Sequence, residues 1–273
     1  MLRTRLCELL EIEVPVLGAP MGPEIAGLDL AAAVSNAGGL GMISFGGYPP
    51  PALRERIRKL RTMTSKPFGV NVLLEGPHLP LPESAFVDAC IAERVPVLSF
   101  FWGDPTPYVE KAHKTGVKVC DQVGSVRVAK RAAAAGVDFI IAQGVEKEKV
   151  LAATEEDTVR TTLFGNGWPN AYHRTLRTPF VEHWLPEERR GSEQRPDEPI
   201  IGEVTLGGRI PLPRFGAIPP AQDATGDIDA MDFLAGQCSG LVRRLEPAAV
   251  VVRDIVDEAV RILTERARQV RYS

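Results

Sequence analysis

Six short apolar runs in the first half of the chain each end in residues that could hold a ligand. In chain order these are Ala19-Pro20-Met21-Gly22, Ser44-Phe45-Gly46-Gly47, Asn71, Phe101-Trp102-Gly103, Asp121-Gln122 and Gln143-Gly144. Carboxamides, glycines and a few large apolar side chains dominate, with Asp121 the one carboxylate in the set. Metal ions take several hard oxygen ligands or a His/Cys set. This group offers neither, so no metal site is expected. It suits a large, flat heteroaromatic ligand gripped by amides and backbone. Gln143 carries the strongest signal, because a buried amide needs partners and a ligand supplies them. Simpler roles stand beside the ligand role elsewhere: Met21 as core filler, Asn71 as a turn cap after its strand, Gln237 as a helix N-cap.

Other chemistry is absent from the sequence. GxGxxG, GxxxxGK[ST], HExxH and GxSxG do not occur, which counts against a Rossmann dehydrogenase, a P-loop NTPase, a zincin and a serine hydrolase. Of the four histidines, His78 falls in a Pro-rich loop and reads as a surface residue. His113, His173 and His183 read as solvated or packing residues. No catalytic residue is assigned.

These residues need a scaffold that brings strand ends together. Residues 14–19, 40–44, 68–73, 97–100, 117–123 and 139–142 read as near-continuous apolar strands, the pattern of a sheet buried on both faces. Helical periods lie between them at 28–36, 51–61, 82–93, 105–115 and 125–135, several stopped by glycine. Repeated βα units give a parallel sheet, whose ligands gather at the C-terminal strand ends. The pattern changes after Gly144. Residues 145–164 read as a helix. Residues 165–226 hold 8 Gly and 9 Pro, so 165–229 reads as an irregular wrap packed on the core through Trp184, Phe180, Leu185 and Phe215. Helical period returns over 230–273, with a break at Pro247. The expected fold is α/β and TIM-barrel-like, with about six of eight βα units in residues 1–144.

The chain has 273 residues, 44% hydrophobic and 25% charged, as expected of a folded globular protein. Lys plus Arg number 32 against 35 acidic residues, net −3, so neither nucleic acid nor an anionic membrane is an expected partner. Cys7, Cys90, Cys120 and Cys238 are too dispersed for a zinc knuckle and read as reduced thiols. Glu8, Glu11 and Glu13 interrupt any signal-peptide core, and the uncharged stretch 30–53 is broken by glycines and prolines. A cytoplasmic protein is expected.

Several motifs taken together resemble one family. Gly-Ala-Pro-Met at 18–21, Ala-Ala-Ala-Val-Ser-Asn-Ala-Gly-Gly-Leu-Gly at 31–41, Pro-Phe-Gly-Val-Asn at 67–71 and Gly-Val-Asp-Phe-Ile-Ile-Ala-Gln-Gly at 136–144 resemble nitronate monooxygenases. Ala-Gly-Gln at 235–237 and Gly240-Leu241-Val242 resemble the closing region of the same family. The resemblance implies an FMN-dependent TIM barrel acting on an alkyl nitronate or nitroalkane and dioxygen; a homo-oligomer is a separate expectation, from the exposed edges of an unclosed sheet. It implies that Ala19, Pro20 and Met21 address the flavin ring. It places Asn71, Gln122, Gln143 and Gly144 at the ring or ribityl chain.

One departure from the family matters as much. A typical relative continues after Gln143-Gly144 with Gly-Gly-His and two further βα units, a block of roughly sixty residues at ~30 per unit. Here Val145-Glu146-Lys147 runs straight into a segment resembling the region after the eighth strand. The family histidine and the usual phosphate loops therefore have no counterpart, and six strands leave a barrel unclosed. Three functions follow: a nitronate-oxidising flavoenzyme, a catalytically inactive shortened homologue arising by deletion, alternative transcript or gene-model error, and a flavoenzyme like the enoyl-acyl-carrier-protein reductases.

Overall fold

The computed structural model describes residues 2–22, 25–75, 81–142, 158–166, 169, 172–193, 195–205, 209–220, 223–236 and 245–270. A short helix, α1 (Arg5–Leu10), precedes α2 (Leu28–Asn36). Strands and helices then alternate: β1 (Gly41–Ser44), α3 (Pro50–Met63), β2 (Phe68–Leu73), α4 (Glu83–Ala92), β3 (Val97–Phe101), α5 (Thr106–His113), β4 (Lys118–Val123), α6 (Val126–Ala135) and β5 (Phe139–Ala142). The five strands form one sheet in chain order, every pair parallel. This is a TIM-barrel-like α/β sheet left open: among the described residues nothing pairs with the far side of β5.

The expected six strands are thus five. The first, at 14–19, is reduced to a single parallel bridge between Leu17 and Leu40, flanked by the bonds Leu40 N–H to Val16 O and Gly18 N–H to Leu40 O. A run of six residues carrying Pro15 lacks a donor for a full ladder, which fits its edge position.

The sheet's two faces differ. Helices α2 to α6 cover the outer face, where Ile43, Phe68, Val70, Val72, Leu98, Phe100 and Val119 pack with Leu53, Ile57 and Leu60 of α3. Those three leucine and isoleucine positions are i, i+4 and i+7, the apolar stripe of an amphipathic helix. On the inner face Met42, Val97, Cys120 and Phe139 pack against Cys7 and Leu10 of α1 and against Ile12. Gly41 makes the outer contact tight: a Cβ there would lie 1.8 Å from the Ala31 carbonyl oxygen of α2.

The second half corrects two expectations. The helix expected over 145–164 ends in a strand, β6 (Thr158–Thr161), antiparallel to β7 (His173–Leu176); residues 143–157 lie outside the described set. The β-branched residues Thr158, Val159, Thr161 and Thr162 favour extended backbone over the helical period that the neighbouring charges mimic. The stretch 165–229 is not irregular either. It holds α7 (Pro179–Trp184), α8 (Glu188–Ser192) and the sheet of β8 (Ile200–Thr205), β9 (Arg209–Pro213) and β10 (Thr225–Gly226). Two small cores support it, Leu163, Phe164, Val181 and Phe215 in one and Val204, Leu212 and Met231 in the other. Of its prolines, Pro179 sits at the first turn of α7 and Pro211 and Pro213 lie on edge strand β9, places that tolerate a missing N–H. Of the helical structure expected over 230–273, the described residues show α9 (Ala248–Val270), which packs on α2. Before it, Leu234 bridges Thr175 in extended form. No helix among the described residues is long and apolar enough to cross a membrane.

Candidate functional site

Strand register decides which residues meet. Ser44, Asn71, Ser99 and Cys120 stand side by side on β1, β2, β3 and β4. One step nearer the C-terminal strand ends, Leu73, Phe101 and Gln122 form the next row. The inner face is therefore apolar near α1, polar across Ser44, Asn71 and Ser99, and mixed in the row above them.

Asn71 is 4% exposed. Its Nδ2 donates to the Ser99 carbonyl at 3.4 Å and to Ser99 Oγ at 3.2 Å. It is a strand residue held by its neighbour, so the turn-cap role is set aside. Ser99 also hydrogen-bonds the Cys120 thiol, which burial pushes up to about 12. Cys120 stays a neutral thiol there.

The loops beyond the strands build a rim. Ala19 is exposed and Pro20 half-buried; Met21 is 47% exposed, which removes it from the core-filler role. Ser44 Oγ accepts the Gly46 N–H at 3.3 Å, and Gly46 and Gly47 follow with φ of 62° and 67°. Two successive left-handed residues without side chains let a ligand approach the backbone. After β3, Trp102 stacks on Phe101 with centroids 4.3 Å apart and takes φ 58°. A bulky residue in that region is strained, and such strain clusters at ligand sites. Gln122 is half-buried on the inner face. Gln143, Gly144, Gln237 and His78 lie outside the described residues.

Asp121 points the other way. It shares register with Phe100, on the outer face, and is 2% exposed. Burial pushes its carboxyl up to about 6, with Arg131 pulling it down and Asp104 adding to the rise. Arg131 also donates to the Gly103 carbonyl, so one guanidinium ties α6 to the Trp102 turn and faces Asp121.

A second ionisable pair escaped the sequence reading. His173 Nε2 lies 3.2 Å from Asp232 Oδ2, with Asp232 fully buried. The available signal was a lone carboxylate inside the apolar run Ala230-Met231-Asp232-Phe233-Leu234. His113 pairs with Asp138 at 2.9 Å, and His183 is exposed beside Trp184. A cleft of about 600 Å³ is lined by residues 185–190, Glu193 and Arg195, none of them from the rim. No three His, Cys, Asp or Glu side chains among the described residues come together as metal ligands.

A family model described as nitronate monooxygenase matches residues 3–148. The (3aS,4S,5R,7aS)-5-hydroxy-7a-methyl-1-oxo-octahydro-1H-indene-4-carboxyl-CoA dehydrogenase of Rhodococcus jostii is 37% identical over 145 residues, covering 53% of this chain and 40% of that one. A nitronate monooxygenase of Paraburkholderia phytofirmans is 30% identical over 176 residues, 52% of this chain and 48% of that one. The chain thus spans about half the length of the curated relatives it matches. Among solved structures, FabK from Thermotoga maritima superposes with a TM-score of 0.71 at 28% identity, over 98% of this chain and 99% of that one.

Proposed function

This chain belongs to the nitronate monooxygenase family, and from that premise we propose that it is an FMN-dependent oxidoreductase that oxidises alkyl nitronates with dioxygen. The observation that carries the reading is the rim itself: an uncharged set of backbone, amide and apolar groups around a buried Asn71 whose Oδ1 accepts no hydrogen bond among the described residues. Such a set fits a flavin ring.

Ala19, Pro20 and Met21 would meet the ring with backbone and thioether, and Asn71 and Gln122 would bond its polar atoms or the ribityl chain. Gln143 and Gly144 complete the set by family resemblance. Gly46 and Gly47 leave room for close approach, and Phe101 and Trp102 exclude water from the β3 side. FMN, when bound, would supply an electron acceptor for the nitronate that dioxygen can reoxidise. A nitronate is already anionic, so this chain needs no base to remove a carbon-bound proton, consistent with a site lacking the family's Gly-Gly-His. No residue is assigned to the phosphate, because the loops that carry it in such barrels follow the seventh and eighth strands. A homo-oligomer in the cytoplasm is the proposed setting.

A second reading has its own support. The 37%-identical relative is named as a dehydrogenase of a carboxyl-CoA compound, which favours an acyl-thioester substrate of the kind enoyl reductases use. A third, an inactive shortened homologue, rests on the missing block. Oxygen uptake with propionate 3-nitronate, set against NADH oxidation with a crotonyl thioester, divides the first two. Uptake with the nitronate alone supports the proposal, thioester turnover alone replaces it with the second reading, and neither activity in flavin-loaded protein leaves the third.

A further inference from the structure

An amide buried on a sheet face needs an account of which way it points. We propose that Ser99 is a positioning residue that turns Asn71 to accept, rather than donate, a hydrogen bond from the ligand at the rim. The inference rests on the flavin reading above and adds a residue that the reading does not contain.

The orientation of the Asn71 amide follows from its partners. One is the Ser99 backbone carbonyl, 3.4 Å away, which can only accept. The atom facing it must then be the nitrogen, since a reversed amide would set two carbonyl oxygens against each other. The other partner, Ser99 Oγ, is closer at 3.2 Å and accepts from the same Nδ2. The Ser99 hydroxyl accepts from Asn71 and keeps its own proton to donate, and Cys120 on β4 is the neighbour whose sulfur it stabilises. Three side chains at one register level on adjacent parallel strands thus form a directed row, Asn71 to Ser99 to Cys120.

Both of the donated bonds go to Ser99, which leaves Oδ1 as the amide's free acceptor among the described residues. A site built this way selects a ligand that presents a donor, an imide N–H or a hydroxyl, and rejects one presenting a carboxylate or phosphate oxygen at that point. A flavin ring carries an imide N–H. Removing the Ser99 hydroxyl leaves Asn71 only the longer bond to the carbonyl, so the amide is held less firmly in the accepting orientation.

The test is a titration of FMN and riboflavin, followed by flavin fluorescence, into wild type, Ser99→Ala, Ser99→Thr, Asn71→Leu and the double variant Ser99→Ala/Asn71→Leu. The expected result is a dissociation constant about tenfold higher for Ser99→Ala, about 1.4 kcal/mol, with Ser99→Thr within about twofold of wild type. In the Asn71→Leu background Ser99→Ala should add nothing, because its effect passes through the amide. Thermal unfolding of each variant separates this from a packing role, which would lower stability and act equally in both backgrounds. Wild-type affinity in Ser99→Ala, or an equal loss in both backgrounds, overturns the inference while leaving the flavin reading standing. A wild type that binds neither flavin overturns both, and that result is visible before any variant is compared.

Discussion

His173 on β7 reaches across to Asp232 on the segment before α9, Nε2 to Oδ2 at 3.2 Å, and the carboxylate it meets is 1% exposed. Thr175 adds a hydrogen bond to the Phe233 carbonyl, and the Leu176 N–H donates to the same oxygen. Strand β7 is therefore pinned to residues 232–235 by the His173–Asp232 pair, by these two bonds to the Phe233 carbonyl and by the Ala235 N–H bond to the Arg174 carbonyl.

Asp232 should give stability a pH dependence of known sign. Burial pushes its carboxyl up to about 6, with His173 and Thr175 pulling it down. A raised carboxyl holds its proton more tightly folded than unfolded, so its contribution is full below pH ~4 and is lost as pH rises through about 6. In thermal or urea unfolding, wild type should lose about 2–3 kcal/mol relative to Asp232→Asn between pH 4 and 7. A difference that stays flat across that range would mean that His173 and Thr175 offset the burial in full.

Asp121 obeys the same rule at the other end of the molecule. Its carboxyl, also near 6, sits against the outer helices with Arg131 as countercharge. Asp121→Asn should stabilise the fold at pH 7.5 by about 1 kcal/mol and leave stability at pH 4 nearly unchanged. Destabilisation at pH 7.5 would mean that the Arg131 attraction outweighs the burial.

Gly41 tests the closeness of α2 to the sheet. With the Ala31 carbonyl 1.8 Å from a would-be Cβ, any side chain forces the helix away from β1. Gly41→Val should cost more than ~2 kcal/mol, the range of overpacked cores. A melting temperature within a degree or two of wild type would show that α2 yields freely.

Met21 separates ligand contact from packing. At 47% exposure its replacement by Lys should change stability by less than about 0.5 kcal/mol. The same change should weaken flavin binding at least severalfold. A Met21→Lys protein that binds flavin like wild type removes this residue from the site.

The first half was legible in the sequence to within a few residues, because buried parallel strands and amphipathic helices leave their period in the apolar residues themselves. The β2 and β5 bounds match the apolar runs, and Gly136, at φ 85°, stops α6 where expected. The edge segment around Leu17 failed because an apolar run does not say whether a neighbour exists to pair with it. The second half failed for a related reason: Pro and Gly mark turns, and their density hid the short strands between them. At the rim, Met21 and Asn71 could be singled out by type and place, whereas Ser99 could not. Its role depends on a cross-strand register that no local pattern encodes. His173 and Asp232, 59 residues apart in sequence, share that invisibility.

The central claim is that this chain, spanning about half the length of its curated relatives, still holds a flavin at the strand ends. Purified full-length protein, with FMN added and unbound ligand removed, answers it by absorption spectrum. A yellow protein with FMN bound near one to one is the expected result. Folded, colourless protein that ignores added FMN would contradict it.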